Sequence, residues 1–156
     1  MDLQELKDRE ALREAVLAFA TAVDSLDMDL YRAAFAEEAE FDVSSFSGQP
    51  AAVVRVADWA AGMEGFLRGF DATQHILSNF AFEIAGDRAT VIAAMQAEHF
   101  RPNREGDSSV TLGGDYVFRL ARTPAGWKIT GFRLDARWHR GNLALYDLAA
   151  KGPRRR

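Results

Sequence analysis

Residues 80–99, FAFEIAGDRATVIAAMQAEH, decide the fold. Phe80, Phe82 and Ile84 alternate with small or polar neighbours. Ala85-Gly-Asp87 then makes a turn, and Ala89, Val91, Ala93, Met95, Ala97 and His99 resume the alternation over a longer run. Period-two apolarity on both sides of a glycine turn is the pattern of strands with one covered face. The covered face of the second run is mostly small, so it either accepts a close-packed helix or leaves room for a ligand, and His99 ends it. A third run, Tyr116, Phe118 and Leu120, leads through Thr123-Pro-Ala-Gly126 into a fourth over residues 127–138. The second half of the chain reads as an antiparallel meander.

The first half has a different period. Leu12, Val16, Phe19, Ala20 and Val23 fall on one face of a helix predicted over residues 8–23, with Asp8 as its N-cap. Residues 25–35 predict a shorter helix capped by Asp27, and Val56, Trp59, Ala60, Met63 and Phe66-Leu67 predict a third within residues 54–70. Between them Phe41-Asp-Val-Ser-Ser-Phe46 reads as a short strand broken by Ser47-Gly-Gln-Pro50. Helices followed by a meander give an α+β fold, a curled sheet closed by helices around a pocket. A single domain over residues 1–156 is expected, with its core at about 8–142 and a C-terminal segment, 143–156, whose Leu143-Ala-Leu-Tyr-Asp-Leu148 stretch could form a short lid helix. The polar loop 101–109 is expected to be mobile and near the mouth of any cavity.

Acidic residues exceed basic ones by four over 156 residues, and the basic ones are scattered except for Pro153-Arg-Arg-Arg156, which reads as a solvated end. This gives no electrostatic footprint for nucleic acid. The absence of cysteine excludes disulfides, thiolate nucleophiles and cysteine-ligated metal. No apolar run is long enough for a bilayer or a signal segment, so a cytoplasmic protein without a membrane partner is expected.

Three residues draw attention as chemistry. Asp24 closes the first helix at the unfavourable end of its dipole, which calls for a donor or cationic partner; capping of the next turn, Asp24-Ser-Leu-Asp27, is the plainer alternative. His75, in Thr73-Gln-His-Ile76, is either a core histidine bonded to a backbone carbonyl or a base facing a cavity. His99 is either a surface residue at a strand end or a second cavity histidine. Together they make sense: an aspartate accepting from one ring nitrogen fixes the tautomer and leaves the other as a base, and an imidazole, ordinarily titrating at about 6.5, is usable at neutral pH. Ser78 lacks a nucleophile-elbow setting. A metal triad of Asp24, His75 and His99 is the third alternative, but no close His-x-His or His-x-x-x-His spacing supports it, and neither metal nor cofactor is expected.

Asp24-Ser-Leu-Asp-Met-Asp29 after the long helix, Thr73-Gln-His-Ile76, and Gly126-Trp-Lys-Ile-Thr-Gly131 running on to Asp135-Ala-Arg-Trp138 resemble the SnoaL-like branch of the NTF2-like superfamily, and within it the scytalone dehydratase-like proteins. The resemblance covers residues 8–142 and implies a cone-shaped α+β barrel with a deep apolar pocket. It also implies that Asp24 and His75 form a catalytic pair assisted by His99, with Tyr116 at the family's pocket asparagine. The family's two water-holding tyrosines correspond to Val23 and Val43, so activation of a carbonyl must come from Tyr116, Tyr31 or His99, or the reaction differs.

The function implied is a cofactor-free, dehydratase-like lyase acting on a small apolar aromatic, polyketide-like or steroid-like substrate. Phe19, Val23, Tyr31, Trp59, Met63, Phe66, Asn79, Met95, Phe118 and Trp138 are its expected substrate-binding residues, although each apolar one also reads as ordinary core. Retro-aldol cleavage, isomerisation or cyclisation would use the same dyad, and a non-catalytic small-molecule-binding or assembly module is the remaining alternative. A homo-oligomer, dimer or trimer, is expected from the open sheet face.

Overall fold

The computed structural model describes residues 2–152; the terminal arginine cluster lies outside them. Helix α1 (Leu3–Ser25) starts earlier than its apolar stripe, because Asp2 rather than Asp8 is the N-cap and accepts from the Glu5 N–H. Asp8 lies inside the helix, turned inward. Leu26 adopts the left-handed conformation (φ 56°) and ends the helix, and Asp27 caps helix α2 (Met28–Ala34) as its sequence predicts. Strand β1 (Phe35–Asp42) follows with no loop, so Phe35 leaves the helix predicted for it and starts a strand that buries Phe35, Ala39 and Phe41. The short helix α3 (Ser44–Ser47) replaces the end of the strand predicted to reach Phe46. Strand β2 (Ala52–Arg55) and helix α4 (Val56–Leu67) complete the first half.

The second half is the expected meander: β3 (Ala72–Ala85), β4 (Arg88–Phe100), β5 (Ser109–Thr123) and β6 (Gly126–Gly141), closed by helix α5 (Ala144–Ala150). The six strands form one curved sheet in the order β2-β1-β6-β5-β4-β3, which leaves β2 and β3 as its edges. All neighbours pair antiparallel except β1, which runs parallel to β6. The sheet is more than a meander, since the early strand β1 adds to the last one.

Bulges set which side chains face inward; one in β6 leaves Thr130 extra, since Arg119 pairs with Gly131 but Leu120 with Ile129. In β3 the register slips between Ser78 and Ala81, and Asn79 is the extra residue, with φ 51°. In β6, Gly113 pairs with Trp138 but Gly114 with Ala136, so Arg137 is extra and the alternation inverts beyond it. Trp138 then lies over Gly113, where a Cβ would meet its ring at 2.0 Å.

The helices cover one face of the sheet. At the β3–β4 turn end, Leu12 and Val16 of α1 meet Val91, Leu120 and Ile129 in a filled core. Further along, Phe19 sits within 5.2–6.1 Å, ring to ring, of Tyr31, Phe35, Tyr116, Phe118 and Phe132. Beyond this aromatic layer the packing opens. Helix α5 covers the opening through a second cluster of Phe70, Val110, Leu145, Tyr146 and Ala149. No helix among the described residues is long and apolar enough to cross a membrane.

Candidate active site

Asp24 comes from the last turn of α1 and meets the beginning of β3. Its Oδ2 accepts from the His75 backbone N–H at 2.7 Å, and its Oδ1 lies 2.7 Å from His75 Nδ1 and accepts from Thr73 Oγ1 at 3.0 Å. Three donors from one strand therefore answer the unfavourable helix dipole, and capping of the following turn falls to Asp27. Burial pushes the Asp24 carboxyl up, but the bonds and charge of His75, with the Thr73 hydroxyl, outweigh it and hold the group below the usual carboxylate range. An ionised carboxylate can only accept, so the ring nitrogen facing it, Nδ1, is the donor. The His75 side chain is 6% exposed and lies on the wall of a cavity of about 260 Å³.

His99 lies beside it on β4, ring centroids 5.6 Å apart and planes near perpendicular. It is buried, not at the surface. Burial first, and the neighbouring His75 second, push its pKa down to about 3, so the ring is neutral. Tyr116, on β5, stacks 6.4 Å from His75, and burial raises its phenol well above the usual value. Among the expected substrate-binding residues, Phe19, Val23, Tyr31, Trp59, Met63 and Phe66 line the cavity.

Four expected residues lie elsewhere. Asn79, thrown outward by the β3 bulge, and Trp138, thrown outward by the β6 bulge and 44% exposed, sit on the outer side of the sheet. Met95 and Phe118 do face inward but are consumed by packing, Phe118 against Phe19, Tyr116 and Phe132. In their place the cavity takes Phe132 and Leu134 from β6, Leu112 from β5, Val43 and Phe46 from the β1–α3 segment, and Tyr146 from α5. Leu112 and Leu134 continue inward alternations visible in the sequence; Tyr146 gives no such signal because its place depends on how α5 docks. Val23 and Val43 both reach the wall, so its aliphatic character at those two positions is real.

Among the described residues no group of three or more histidines, aspartates and glutamates is placed to hold a metal ion. A larger groove of about 690 Å³ lies at the solvent side between Glu38, Glu83, Arg88 and Arg119, but Arg119 is committed to Glu40 there and no histidine is present.

The profile of the SnoaL-like domain matches residues 4–133. The chain belongs to this family. Among curated relatives of this SnoaL-like protein, an uncharacterized protein of Mycobacterium tuberculosis is 24% identical over 130 residues, covering 83% of this chain and 85% of the relative. A crystal structure from Kribbella flavida superposes with a TM-score of 0.86 at 27% identity, covering 93% of this chain and 98% of the other. A candidate aromatic ring hydroxylase of Novosphingobium aromaticivorans gives 0.78 at 29% identity, covering 90% and 97%. A candidate scytalone dehydratase of the same organism gives 0.76 at 19% identity, covering 88% and 89%, a likeness of fold.

Proposed function

We propose that this SnoaL-like protein is a cofactor-free lyase of the dehydratase kind, in which Asp24 and His75 act as an orienter and base pair on a small, largely apolar substrate. The observation that carries the reading is the 2.7 Å contact between Asp24 Oδ1 and His75 Nδ1 on the wall of an apolar cavity. His75 Nε2 removes a proton from the carbon next to a carbonyl, and the C–H electron pair becomes the enolate. Expulsion of a β-hydroxyl then breaks the C–O bond, and the imidazolium returns the proton to the departing oxygen as water. Asp24 stabilises the imidazolium between the two steps. The name of the scytalone dehydratase-like neighbour fits this reaction class, and the cavity's aromatic walls fit a ring-bearing substrate. The same base would serve isomerisation, cyclisation or retro-aldol cleavage, which product analysis separates.

The test is a panel of β-hydroxy ketones and phenolic alcohols, followed by mass spectrometry for loss of water. The wild-type protein should turn over at least one member, and His75→Ala should lower the rate by about 10²–10⁴. Near-normal turnover in both His75→Ala and Asp24→Asn would remove the pair from the mechanism. A non-catalytic binding module is the second reading, favoured by Val23 and Val43 at the wall, and a tight ligand recovered unchanged would support it.

A further inference from the structure

The Asp24 carboxylate accepts from three donors, and they divide unevenly between its oxygens. The His75 backbone N–H takes Oδ2, while the Thr73 hydroxyl, at 3.0 Å, shares Oδ1 with His75 Nδ1, at 2.7 Å. The backbone donor comes with any residue but proline at position 75. The Thr73 hydroxyl does not come with the strand. Valine has the same branched shape and suits an edge strand as well, so the fold of β3 explains the branching and leaves the hydroxyl unexplained.

The placement of that hydroxyl is specific. Thr73 and His75 stand two residues apart on β3, so their side chains share a face. Across the ladder Thr73 pairs with His99 and His75 with Ala97, which puts Thr73 between the end of α1 and the second histidine of the site. A β-branched side chain has few rotamers, so the donor is held toward Oδ1 by its own backbone.

The chemistry says what a second donor on Oδ1 does. A base must be neutral when it takes a proton, and an ionised carboxylate 2.7 Å from an imidazole favours the charged ring. The other titratable groups facing His75 do not compensate. His99 from β4 is neutral, its pKa pushed down to about 3 chiefly by burial, and Tyr116 from β5 has its phenol raised by burial. Among the described residues His75 is the one ion-pair partner of Asp24. A hydroxyl bonded to the same oxygen draws on its charge and weakens it as an acceptor for the ring. Burial pushes the Asp24 carboxyl up, and the His75 bonds together with the Thr73 hydroxyl more than offset this.

We propose that Thr73 is a positioning residue for the Asp24–His75 pair, its hydroxyl anchoring Oδ1 and limiting how strongly the carboxylate favours a charged ring. This rests on the acid/base reading of the cavity and deepens it by adding how the base is tuned. Asp24 orients the imidazole, and Thr73 keeps the orienter from charging it before substrate arrives.

The test compares Thr73→Val, which keeps the branched shape and removes the donor, with Thr73→Ser, which keeps the donor. Two NMR readouts need no substrate: the ¹³C titration of the Asp24 carboxyl and the resonance of the proton on His75 Nδ1. In Thr73→Val the carboxyl should titrate at higher pH than in wild type, and the Nδ1 proton should move downfield as its acceptor strengthens. Thr73→Ser should restore both. A third readout is proton exchange beside the carbonyl of 1-tetralone in D₂O, whose acid limb should lie at higher pH in Thr73→Val, with exchange severalfold slower than wild type near about pH 6 and close to it at about pH 8. An unmoved carboxyl titration and Nδ1 proton in Thr73→Val, or a Thr73→Ser that behaves as the valine variant does, would overturn the assignment. Absence of exchange in the wild type would remove the base reading alone, since the two resonances judge the hold of Thr73 on the carboxylate without turnover.

Discussion

Helix α1 carries an inward-turned carboxylate near each end, and the two are satisfied in opposite ways. Asp8, with a side chain 9% exposed, is gripped by Arg122 through two bonds of 2.8 Å and by the Trp127 indole N–H at 3.3 Å, while Arg122 stacks 4.3 Å from the Trp127 ring and also bonds Asp87. The Arg122 bond is the main reason its pKa falls to about 2, against the opposing effect of burial. Asp24, 25% exposed, has no permanent cation beside it among the described residues. Its partners are a hydroxyl, a backbone N–H and an imidazole. A carboxylate paired with a guanidinium is locked in one charge state and ties two elements together. One paired with an imidazole orients that ring, and here the ring lines a cavity. The same residue type on the same helix therefore serves stability at one end and, in the proposed mechanism, chemistry at the other.

The division can be broken by exchanging one substitution between the sites. Asp24→Asn should cut turnover by about 10²–10⁴ while shifting Tm by only a few degrees, because the imidazole loses its orienting charge and the fold loses little. Asp8→Asn should do the reverse, lowering Tm by roughly 5 °C as charge-assisted bonds are weakened, with turnover within twofold of wild type. Calorimetry and steady-state rates on the two variants check both. Equal effects on rate would erase the distinction.

A pH effect separates His99 from both carboxylates. Its folded pKa of about 3 lies below the ordinary 6.5, so the unfolded chain takes up a proton that the folded one refuses. The contribution is complete above about pH 6.5 and is lost progressively toward pH 3, at up to about 1.4 kcal/mol per pH unit. His99→Phe should flatten this part of the stability profile in urea titrations between pH 7 and 5. The smallest expected effect concerns the two tryptophans predicted to bind substrate: Trp59→Ala should raise KM severalfold and Trp138→Ala should leave it unchanged.

The residues that were legible in sequence are those whose signal is local. The alternation through Phe80–His99 gave the hairpin, the stripe from Leu12 to Val23 gave the face of α1, and Asp27 gave a cap. The bulge in β3 also left a local mark, since the inward set moves from His75 and Leu77 to Phe80, Phe82 and Ile84, a change of parity that only an extra residue explains. The β6 bulge at Arg137 left none. Leu134, Ala136 and Trp138 keep one parity in sequence, and the inversion at Arg137 depends on Gly113 across the ladder. Asp8 looks like a cap in sequence because the partner that holds it inward is 114 residues away. Tyr146 was missed as a cavity residue because only the docking of α5 through Arg101 and Gly69 brings it there. Asp24 and His75 stood out because neither sits comfortably where the sequence puts it, one at the wrong end of a dipole and one beside an apolar run.

The most direct test of the central claim is proton exchange at carbon. 1-Tetralone incubated with the protein in D₂O needs no leaving group to report the base, because removal and return of a proton at the carbon beside the carbonyl exchanges hydrogen for deuterium. The account predicts that mass spectrometry will show exchange well above the buffer rate with wild type and Asp8→Asn, and at the buffer rate with His75→Ala and Asp24→Asn. Exchange no faster than buffer in the wild type, or undiminished in His75→Ala, would contradict it.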